Sequence, residues 1–575
     1  MCGILFTLRH KRRPLAHDRA ASRLEVAKRG PDALQSICVD LAIPGSGLEL
    51  ELEFTSSVLA LRGDSIVSQP LRGNGQIFCW NGQVFRGLEV AKHENDTSKI
   101  WEQVCGGQAI TDVLGRVEGP FAFLHYREDT RTITFGRDRL GRRSLLINTE
   151  ADTGMLTITS VSSKVENEAT ANGAYQEIDC SGFWQMEVDK VGLNESGGLE
   201  YAKALRLLER PSTSAFGAIP RMSRAFSETD IPDGPDPCPP AGVLHQFVAG
   251  LRESVRLRVE NIPPAATSSS SRLAILFSGG LDCTFLSHLA SLELPPDEPI
   301  DLLNVAFENP RSIAAAEDLL QRQSARRSKS TTEVVPKDAL AEITGDIYDV
   351  PDRLTGKQSV DVLRKLHPDR DWRFIEINVD YQESQAHRER ILELMHPSDT
   401  VRKQSLAMPL YFAARRQGHW QGHGPYSSEA KVLLSGLGAD ELLGGYARHR
   451  RDFNLKGWMA AIDEMQMDID RIPTRNLGRD DRIISSHGVE TRFPYLDMAF
   501  MQWVAELPIW MKCDLRAPEG KGDKSLLRCA ARQAGMGAVS EFKKRAMQFG
   551  TRAARMHPEE KGTKQRGLGA KKVER

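Results

Sequence analysis

The chain has 575 residues, which is long enough for two or three domains with cores of their own. Hydrophobic residues make up 40% and charged residues 27%, as in ordinary globular proteins, and the longest apolar runs are far too short to span a membrane. Lys and Arg (76) nearly balance Asp and Glu (77), so no overall charge favours a nucleic acid or a membrane surface as partner.

The first residues, MCGILFTLRHKRRP, do not have the pattern of a secretory signal, because the basic residues follow the apolar stretch instead of preceding it. Nine cysteines in a chain of this length, with no C-x-x-C pair, do not indicate a disulfide framework. Both observations favour a reducing compartment, and we expect the protein to be cytoplasmic.

The first third of the chain predicts a β-rich domain. Short apolar and β-branched segments, separated by polar or glycine-bearing turns, have strand character: SSVLAL, GQIFCWNG, PFAFLHY, RTITFG and SLLINT. A passage rich in Pro, Ser and Gly follows from about Pro211 to Pro240, and its composition is typical of a linker.

Strands alternate with helices in the second half of the chain. LAILF is followed by SGGLDCTFLSHLASL, a glycine turn and a helix, and VLLSGLGADELLGGYARH repeats this order. Such alternation predicts a parallel sheet covered by helices on both faces. The polar segment 311–335 is expected at the surface, and the charged tail is expected to be disordered.

Cys2 follows the initiator methionine, so removal of Met1 would leave a thiol beside its own α-amine. An α-amine has a pKa near neutrality and can activate the thiol without a separate histidine. Acyl transfer also needs donors aimed at the oxyanion, which the Asn81 side chain and the Gly82 backbone N–H can supply. Taken alone, however, a cysteine at position 2 usually has no catalytic role, and Asn-Gly is usually a hairpin turn.

The neighbouring motifs favour the catalytic interpretation. MCGI, KRGPD, LRG, WNGQVF, ENDT and GRDRLGRRSL occur in this order. The series resembles class II glutamine amidotransferases, the N-terminal-nucleophile glutaminases. The resemblance implies that Cys2 attacks the side-chain amide of glutamine, with Asn81 and Gly82 as the oxyanion hole.

The same resemblance implies which residues bind glutamine. Arg62 would hold its α-carboxylate in a bidentate pair, and Asp96 would hold its α-amine. Gln83 stands where the family usually carries a glutamate directly after Asn-Gly. Glutamine keeps the shape and a carbonyl acceptor but lacks the charge that pairs with an ammonium group.

LAILFSGGLDCTF combines a strand, a Ser-Gly-Gly turn and a helix, and such a turn presents backbone N–H groups to an anion. Asp282 would repel phosphate, so Mg²⁺ is its natural companion. The spacing is not that of a Walker loop, and a glycine-rich turn without a ligand stays the alternative. The motif resembles the pyrophosphate-binding loop of N-type ATP pyrophosphatases, which usually ends in Ser where this chain has Cys283.

A second glycine-rich cluster, SGLGADELLGGYARH, begins at Ser435. With GVETRFPYLD, KSLLR and KKRAMQFGTR, and behind a class II glutaminase, it resembles asparagine synthetase; DVPDRLTGKQ favours the branch of asparagine synthetase domain-containing proteins. Leu437 stands where asparagine synthetases usually carry a glutamate, and leucine can neither accept a proton nor pair with a cation. The resemblance implies pyrophosphate on Ser278, Gly279 and Gly280, Mg²⁺ on Asp282 and Asp440, nucleotide contacts from Ser435 and Gly436, and a catalytic cation, Lys544.

By this resemblance the fold is an α+β N-terminal-nucleophile four-layer sandwich followed by a doubly wound α/β domain of the ATP-pyrophosphatase type. We expect residues 2–205 to form the amidotransferase domain, 206–240 a linker, 241–556 the asparagine synthase domain and 557–575 a disordered tail. The implied function is glutamine-dependent, AMP-forming amidation of aspartate to asparagine, with ATP and Mg²⁺.

Two alternatives to this function stay open: a ligase that acts on another carboxylate, and a non-catalytic family scaffold. We expect small-molecule substrates, namely glutamine, aspartate and ATP, and no nucleic-acid or membrane partner. A homodimer also stays open, because nothing in the sequence decides the oligomeric state.

Overall fold

The computed structural model describes residues 2–12, 19–163, 174–211, 216, 218–225, 238–264, 267, 269–315, 346–554 and 556. Most of the predicted polar surface segment, part of the predicted linker and the predicted disordered tail lie outside these residues. The chain divides into two units: the first comprises 1–264, 393–397 and 431–526, and the second comprises 265–392, 398–430 and 527–575. The predicted domain boundaries stay predictions.

The elements follow the predicted order of strands first and alternating strands and helices later. The strands are β1 (Gly3–His10), β2 (Ala33–Ala42), β3 (Glu49–Val58), β4 (Leu71–Gly73), β5 (Gln76–Gly82), β6 (Phe121–Arg127), β7 (Thr132–Arg137), β8 (Leu146–Thr149), β9 (Leu156–Thr159), β10 (Gln176–Glu177), β11 (Gly182–Glu187), β12 (Gly192–Leu193), β13 (Leu199–Glu200), β14 (Leu205–Glu209), β15 (Leu273–Leu276), β16 (Ile300–Phe307), β17 (Trp372–Val379), β18 (Gln417–Trp420), β19 (Gly424–Ser427), β20 (Val432–Leu434) and β21 (Glu490–Arg492).

The longest helix in the described part of the chain opens its second half and has 19 residues. The helices are α1 (Arg19–Arg29), α2 (Asp96–Cys105), α3 (Ile110–Arg116), α4 (Ala241–Val259), α5 (Leu281–Glu293), α6 (Pro351–Leu366), α7 (Tyr381–Ala386), α8 (Arg388–Met395), α9 (Val401–Arg415), α10 (Ala439–Leu442), α11 (Ala447–Lys456), α12 (Trp458–Asp470), α13 (Ile472–Arg475), α14 (Leu477–Ser485), α15 (Met498–Glu506), α16 (Ile509–Lys512), α17 (Ser525–Gln533), α18 (Gly537–Ser540) and α19 (Met547–Gly550). Among the described residues, none is long and apolar enough to cross a lipid bilayer.

Two antiparallel sheets of six strands dominate the first unit, in the orders β10-β8-β9-β1-β3-β2 and β14-β11-β7-β6-β5-β4. Side chains alternate between the two faces of a strand, so β5 serves two cores. Ile77 and Cys79 join a core that also contains Phe6 of β1, whereas Phe78 and Trp80 pack with residues of α2 and α3. This alternation leaves Asn81, at the end of β5, on the side of Ile77 and Cys79.

The second unit contains the parallel strands that the sequence predicts. β15, β16 and β17 run parallel, and β18 and β19 extend the sheet antiparallel in the order β19-β18-β17-β16-β15. The central strand β16 is buried along its whole length, as a strand covered on both faces should be. In the first unit, β20 and β21 form a further parallel pair.

Buried ion pairs join the N-terminal sheets of the first unit to residues 477–497 of the same unit. Arg29 Nη2 lies 2.7 Å from Asp481 Oδ2, and Arg143 Nη2 lies 3.0 Å from Glu490 Oε2, with all four side chains at most 1% exposed. Ser144 N also donates to Asp481 Oδ2 at 3.0 Å. The carboxylates therefore compensate guanidinium groups that would otherwise be buried without counter-charge.

We expect Asp481→Ala to lower the free energy of unfolding by about 3–5 kcal/mol, because it removes the carboxylate that faces the buried Arg29. Urea denaturation followed by circular dichroism measures this change. Asp463→Ala is the matched control: its Arg224 partner is well exposed, so the loss should stay below about 1 kcal/mol. Equal losses in the two variants would contradict the role of the buried pair.

Candidate functional site

Cys2 stands directly before β1 and is buried, with 8% of its surface exposed. Its N–H donates to Asn81 Oδ1 at 3.1 Å. Because Oδ1 accepts this bond, the amide orientation is set, and Asn81 Nδ2 is buried with no hydrogen-bond partner among the described residues. A buried, unsatisfied donor beside the predicted nucleophile is what the predicted oxyanion hole requires.

Close packing explains the glycine after Asn81. A Cβ on Gly82 would come within 2.7 Å of both Pro120 O and Phe121 Cβ, so only glycine allows β5 to approach β6 here. Gln83 is buried, and its N–H donates to Pro120 O at 3.0 Å. Gly82, the last residue of β5, and Gln83 directly after it therefore lie next to Asn81, the predicted oxyanion donor.

Arg62 and Asp96 are held on the two sides of one residue, Val84. Arg62 Nη1 donates to Val84 O, and Val84 N donates to Asp96 Oδ2 at 3.0 Å. Arg62 Nε has no hydrogen-bond partner among the described residues. A cation and a carboxylate held this close offer partners for the carboxylate and the ammonium group of an α-amino acid.

The electrostatic surroundings of Cys2 oppose a thiolate. Burial raises the pKa of the Cys2 thiol, and the carboxylates of Asp96 and Glu490 act in the same direction. Burial also raises the pKa of Asp96, which the charge of Arg62 partly offsets. The predicted attack by this thiol would therefore need a base, and an N-terminal nucleophile has one in its own α-amine.

The predicted phosphate loop lies between β15 and α5. Gly279 has φ of +75°, and a Cβ there would lie 2.3 Å from Gly356 N of α6. Ser359 Oγ donates to Gly279 O at 2.7 Å, and Thr355 Oγ1 donates to Ser278 O at 3.0 Å. The first turns of α6 thus fix the conformation of this loop, and the glycine is required.

The loop leads directly into α5, whose N-terminus follows Gly280. Asp282 lies in the first turn of this helix, as predicted. Cys283 Sγ donates to Gly280 O at 3.3 Å, and burial raises the pKa of this thiol. A neutral thiol therefore takes the place in which the pyrophosphatase loop usually has a hydroxyl.

An acidic residue without a predicted role lies within electrostatic reach of Arg545 and of the predicted cation Lys544. Asp352 is 5% exposed at the start of α6, and its Oδ2 has no hydrogen-bond partner among the described residues. Burial raises its pKa to about 7, although the charges of Arg545 and Lys544 lower it. Because both cations act on Asp352, the segment with Lys544 lies near the helix that fixes the phosphate loop.

Ser435, Gly436 and Asp440 belong to the first unit, whereas the phosphate loop and Lys544 belong to the second. Ser435 follows β20, and its N–H donates to Arg492 O at 3.0 Å. Lys524 Nζ, on a side chain only 3% exposed, forms an ion pair with Asp440 Oδ1 at 3.0 Å. A metal ion bound by Asp440 would therefore have to share the carboxylate with Lys524 or displace the lysine.

The described residues contain no group of three or more His, Cys, Asp or Glu side chains that could hold a metal ion. Mg²⁺ in nucleotide sites is bound by one or two carboxylates together with phosphate oxygens and water. Asp282, in the first turn of the helix that follows the phosphate loop, suits that type of site.

Comparison with known proteins identifies the family. The asparagine synthase model matches residues 373–467 and 454–561, and the glutamine amidotransferase domain model matches 68–166. Asparagine synthetase domain-containing protein 1 of Bos taurus is 33% identical, with coverage of 96% of this chain and 95% of that protein. The human protein of that name is 31% identical, with coverage of 97% and 95%.

The chain belongs to the asparagine synthetase family, in the branch of asparagine synthetase domain-containing proteins. This confirms the resemblance inferred from the motifs. A glutamine-hydrolyzing asparagine synthetase of Pongo abelii is 21% identical, with coverage of 88% of this chain and 77% of that protein. As a family member, the chain combines an N-terminal glutamine amidotransferase domain with a synthetase domain. This is the domain organisation of the family of glutamine-dependent amidating proteins.

The structure brings together Cys2, Asn81, Gly82, Gln83, Arg62 and Asp96 around the end of β5, and Ser278, Gly279, Gly280 and Asp282 at the start of α5. The proximity of Gln69 and of Glu490 to Cys2 was not predicted from the sequence. The dipeptide Gln69–Pro70 before β4 carries no chemical signal by itself, and Glu490 is far from Cys2 in the chain. The roles of the predicted site residues stay predictions.

We expect Gly279→Ala to destabilise the second unit by about 1–2 kcal/mol through backbone strain, with about 1–3 kcal/mol more from the clash with α6. Gly422→Ala is the matched control, because Gly422 has φ of +82° but an added Cβ would meet no atom within 4 Å. Gly422→Ala should therefore lose only the stability that backbone strain removes, about 1–2 kcal/mol. Thermal melting of both variants measures the difference, and equal shifts would contradict the close contact with Gly356.

Proposed function

We propose that this protein is a glutamine-dependent, AMP-forming ligase that releases ammonia at Cys2 and uses it to amidate aspartate to asparagine. The observation that carries the proposal is the contact between Cys2 N and Asn81 Oδ1, which leaves the buried Asn81 Nδ2 free for an oxyanion. Arg62 and Asp96 on either side of Val84 add the charges that an amino-acid substrate needs.

In the glutaminase half, the thiol proton of Cys2 passes to its α-amine once Met1 is removed. Sγ then attacks the side-chain amide carbon of glutamine, while Asn81 Nδ2 and Gly82 N–H stabilise the oxyanion. Ammonia leaves with the proton and a thioester forms on Cys2. Water hydrolyses the thioester and releases glutamate.

In the synthetase half, ATP supplies the adenylyl group that activates the acceptor carboxylate. Ser278, Gly279 and Gly280 would hold the pyrophosphate, and Lys544 would offset charge on the α-phosphate, where a preorganised cation counts most. The remaining proposed roles are Mg²⁺ on Asp282 and Asp440, and nucleotide contacts from Ser435 and Gly436. The hydrogen bonds that fix Ser278 and Gly279 beside α6 support the assignment of the pyrophosphate to this loop.

We also propose the four-layer arrangement for the N-terminal domain and the doubly wound arrangement for the synthetase domain. The shared core of the two antiparallel sheets, with α2 and α3 against the second sheet, supports the former. The parallel strands β15 to β17 support the latter. The cytoplasmic location stays part of this proposal.

A second candidate function is a ligase for a different carboxylate. Leu437 stands where asparagine synthetases usually carry a glutamate, and its N–H donates to Ser435 Oγ at 3.3 Å, so the chemistry beside Ser435 differs from that of an ordinary synthetase. A third candidate, the non-catalytic scaffold, has less support, because a scaffold has no need for an unsatisfied donor beside Cys2.

Pyrophosphate release by the purified protein with ATP, Mg²⁺, aspartate and either glutamine or ammonium tests these candidates. We expect asparagine with both nitrogen sources. Cys2→Ala should lose glutamine-dependent activity by about 10³-fold or more and keep the ammonium reaction, because the nucleophile acts only in the first half. Cys38→Ala, which changes an exposed thiol, should keep both.

Glutamate formation without aspartate-dependent pyrophosphate release would contradict asparagine synthesis and favour another carboxylate, which a panel of carboxylic acids would then identify. Absence of both half-reactions would favour the scaffold. Equal loss of the glutamine and ammonium reactions in Cys2→Ala would contradict the proposal that Cys2 acts only in glutamine hydrolysis.

A further inference from the structure

Gln69 lies between β3 and β4, with 1% of its surface exposed. Its Oε1 accepts a hydrogen bond from Trp80 N at 2.7 Å. Because the oxygen must face that N–H, the orientation of the amide is fixed and Nε2 points the other way. On that side Nε2 lies 4.0 Å from Cys2 Sγ and 3.5 Å from Thr97 Oγ1.

Two amide side chains therefore hold Cys2 at different atoms. Asn81 Oδ1 accepts from the backbone N–H of Cys2, and Gln69 Nε2 faces its sulfur. Both are attached to β5, Asn81 as a member of the strand and Gln69 through the neighbouring Trp80 N–H. The nucleophile and the proposed oxyanion donor thus keep their relative position through a single strand.

The other influences on the sulfur oppose one another. Burial, the largest of them, raises the pKa of the thiol together with the carboxylates of Asp96 and Glu490, whereas the charge of the N-terminus and a backbone hydrogen bond at Leu59 lower it. An N–H donor that faces the sulfur stabilises the thiolate without adding a charge to the core. The Gln69 amide has two hydrogens, one for Sγ and one for the hydroxyl of Thr97.

We propose that Gln69 is a positioning residue for the nucleophile: its amide, fixed by Trp80 N–H, donates to Cys2 Sγ and orients the sulfur toward the substrate amide. The proposal rests on the proposed attack by Cys2. During that attack the thiol proton goes to the α-amine, and Gln69 keeps both of its hydrogens. Its role is to hold the sulfur in place and stabilise its charge.

Alkylation of Cys2 by iodoacetamide tests this role without glutamine turnover. Sγ displaces iodide, and mass spectrometry of the N-terminal peptide from chains without Met1 gives the rate at each pH. Gln69→Glu keeps the acceptor for Trp80 N–H but replaces the donor toward sulfur with a carboxylate. We expect alkylation at pH 7 to slow by about tenfold or more and the pH profile to shift upward.

Gln404→Glu, at another buried glutamine, on α9, is the matched control and should leave the rate and profile of Cys2 unchanged. Misfolding cannot imitate the expected result, because an unfolded chain exposes Cys2 and accelerates its alkylation. If Gln69→Glu does not fold, Gln69→Met gives the same comparison with a side chain of similar length and no donor.

A wild-type rate and pH profile in a folded Gln69 variant would overturn the proposal. The proposed glutaminase activity can fail separately: slower alkylation in the variant, together with no glutamate from glutamine in the wild type, would support the positioning role and contradict glutamine hydrolysis. A higher KM for glutamine at unchanged kcat in the Gln69 variant would also overturn the positioning role, since a residue that positions the nucleophile acts on the chemical step.

Discussion

The first unit depends on the pairing of buried guanidinium groups with buried carboxylates from distant parts of the chain. Asp481 and Glu490 lie hundreds of residues after the arginines that they face, Arg29 and Arg143. Burial of such charges is unfavourable unless each finds a partner with good geometry. The N-terminal part of the first unit therefore needs residues 477–497 in place, a part of the chain that the amidotransferase motifs do not reach.

This arrangement also brings a charge from β21 close to Cys2, the predicted nucleophile. Glu490 pairs with Arg143 and Arg492, and its field still acts on Cys2. Burial is the main cause that raises the pKa of the Cys2 thiol, and Glu490, almost five hundred residues away in the sequence, adds to it. Gln69 contributes a neutral donor in these surroundings, where a cation would disturb the balance of the buried pairs.

Local patterns in the sequence predicted much of the architecture. Alternation of apolar residues predicted the strands of the first third, and the turn Ser278–Gly280 predicted a loop between a strand and a helix. The contacts of Gln69 and Asp352 could not be predicted, because both depend on which distant residues meet. A glutamine before proline and an aspartate in a helical turn have many structural roles, and only their neighbours distinguish a functional one.

The contact between Gly279 and Gly356 has a consequence for how sequences of this branch can change. A Cβ on Gly279 would meet the backbone of Thr355 and Gly356, whereas a Cβ on Gly356 would meet the side chains of Asn304 and Phe374. A substitution at Gly279 is tolerated only if α6 moves, and that movement would carry Thr355 and Ser359 away from the carbonyls that they hold. In a related chain that keeps this loop against the same helix, we therefore expect glycine at the position of Gly279, whatever the loop binds.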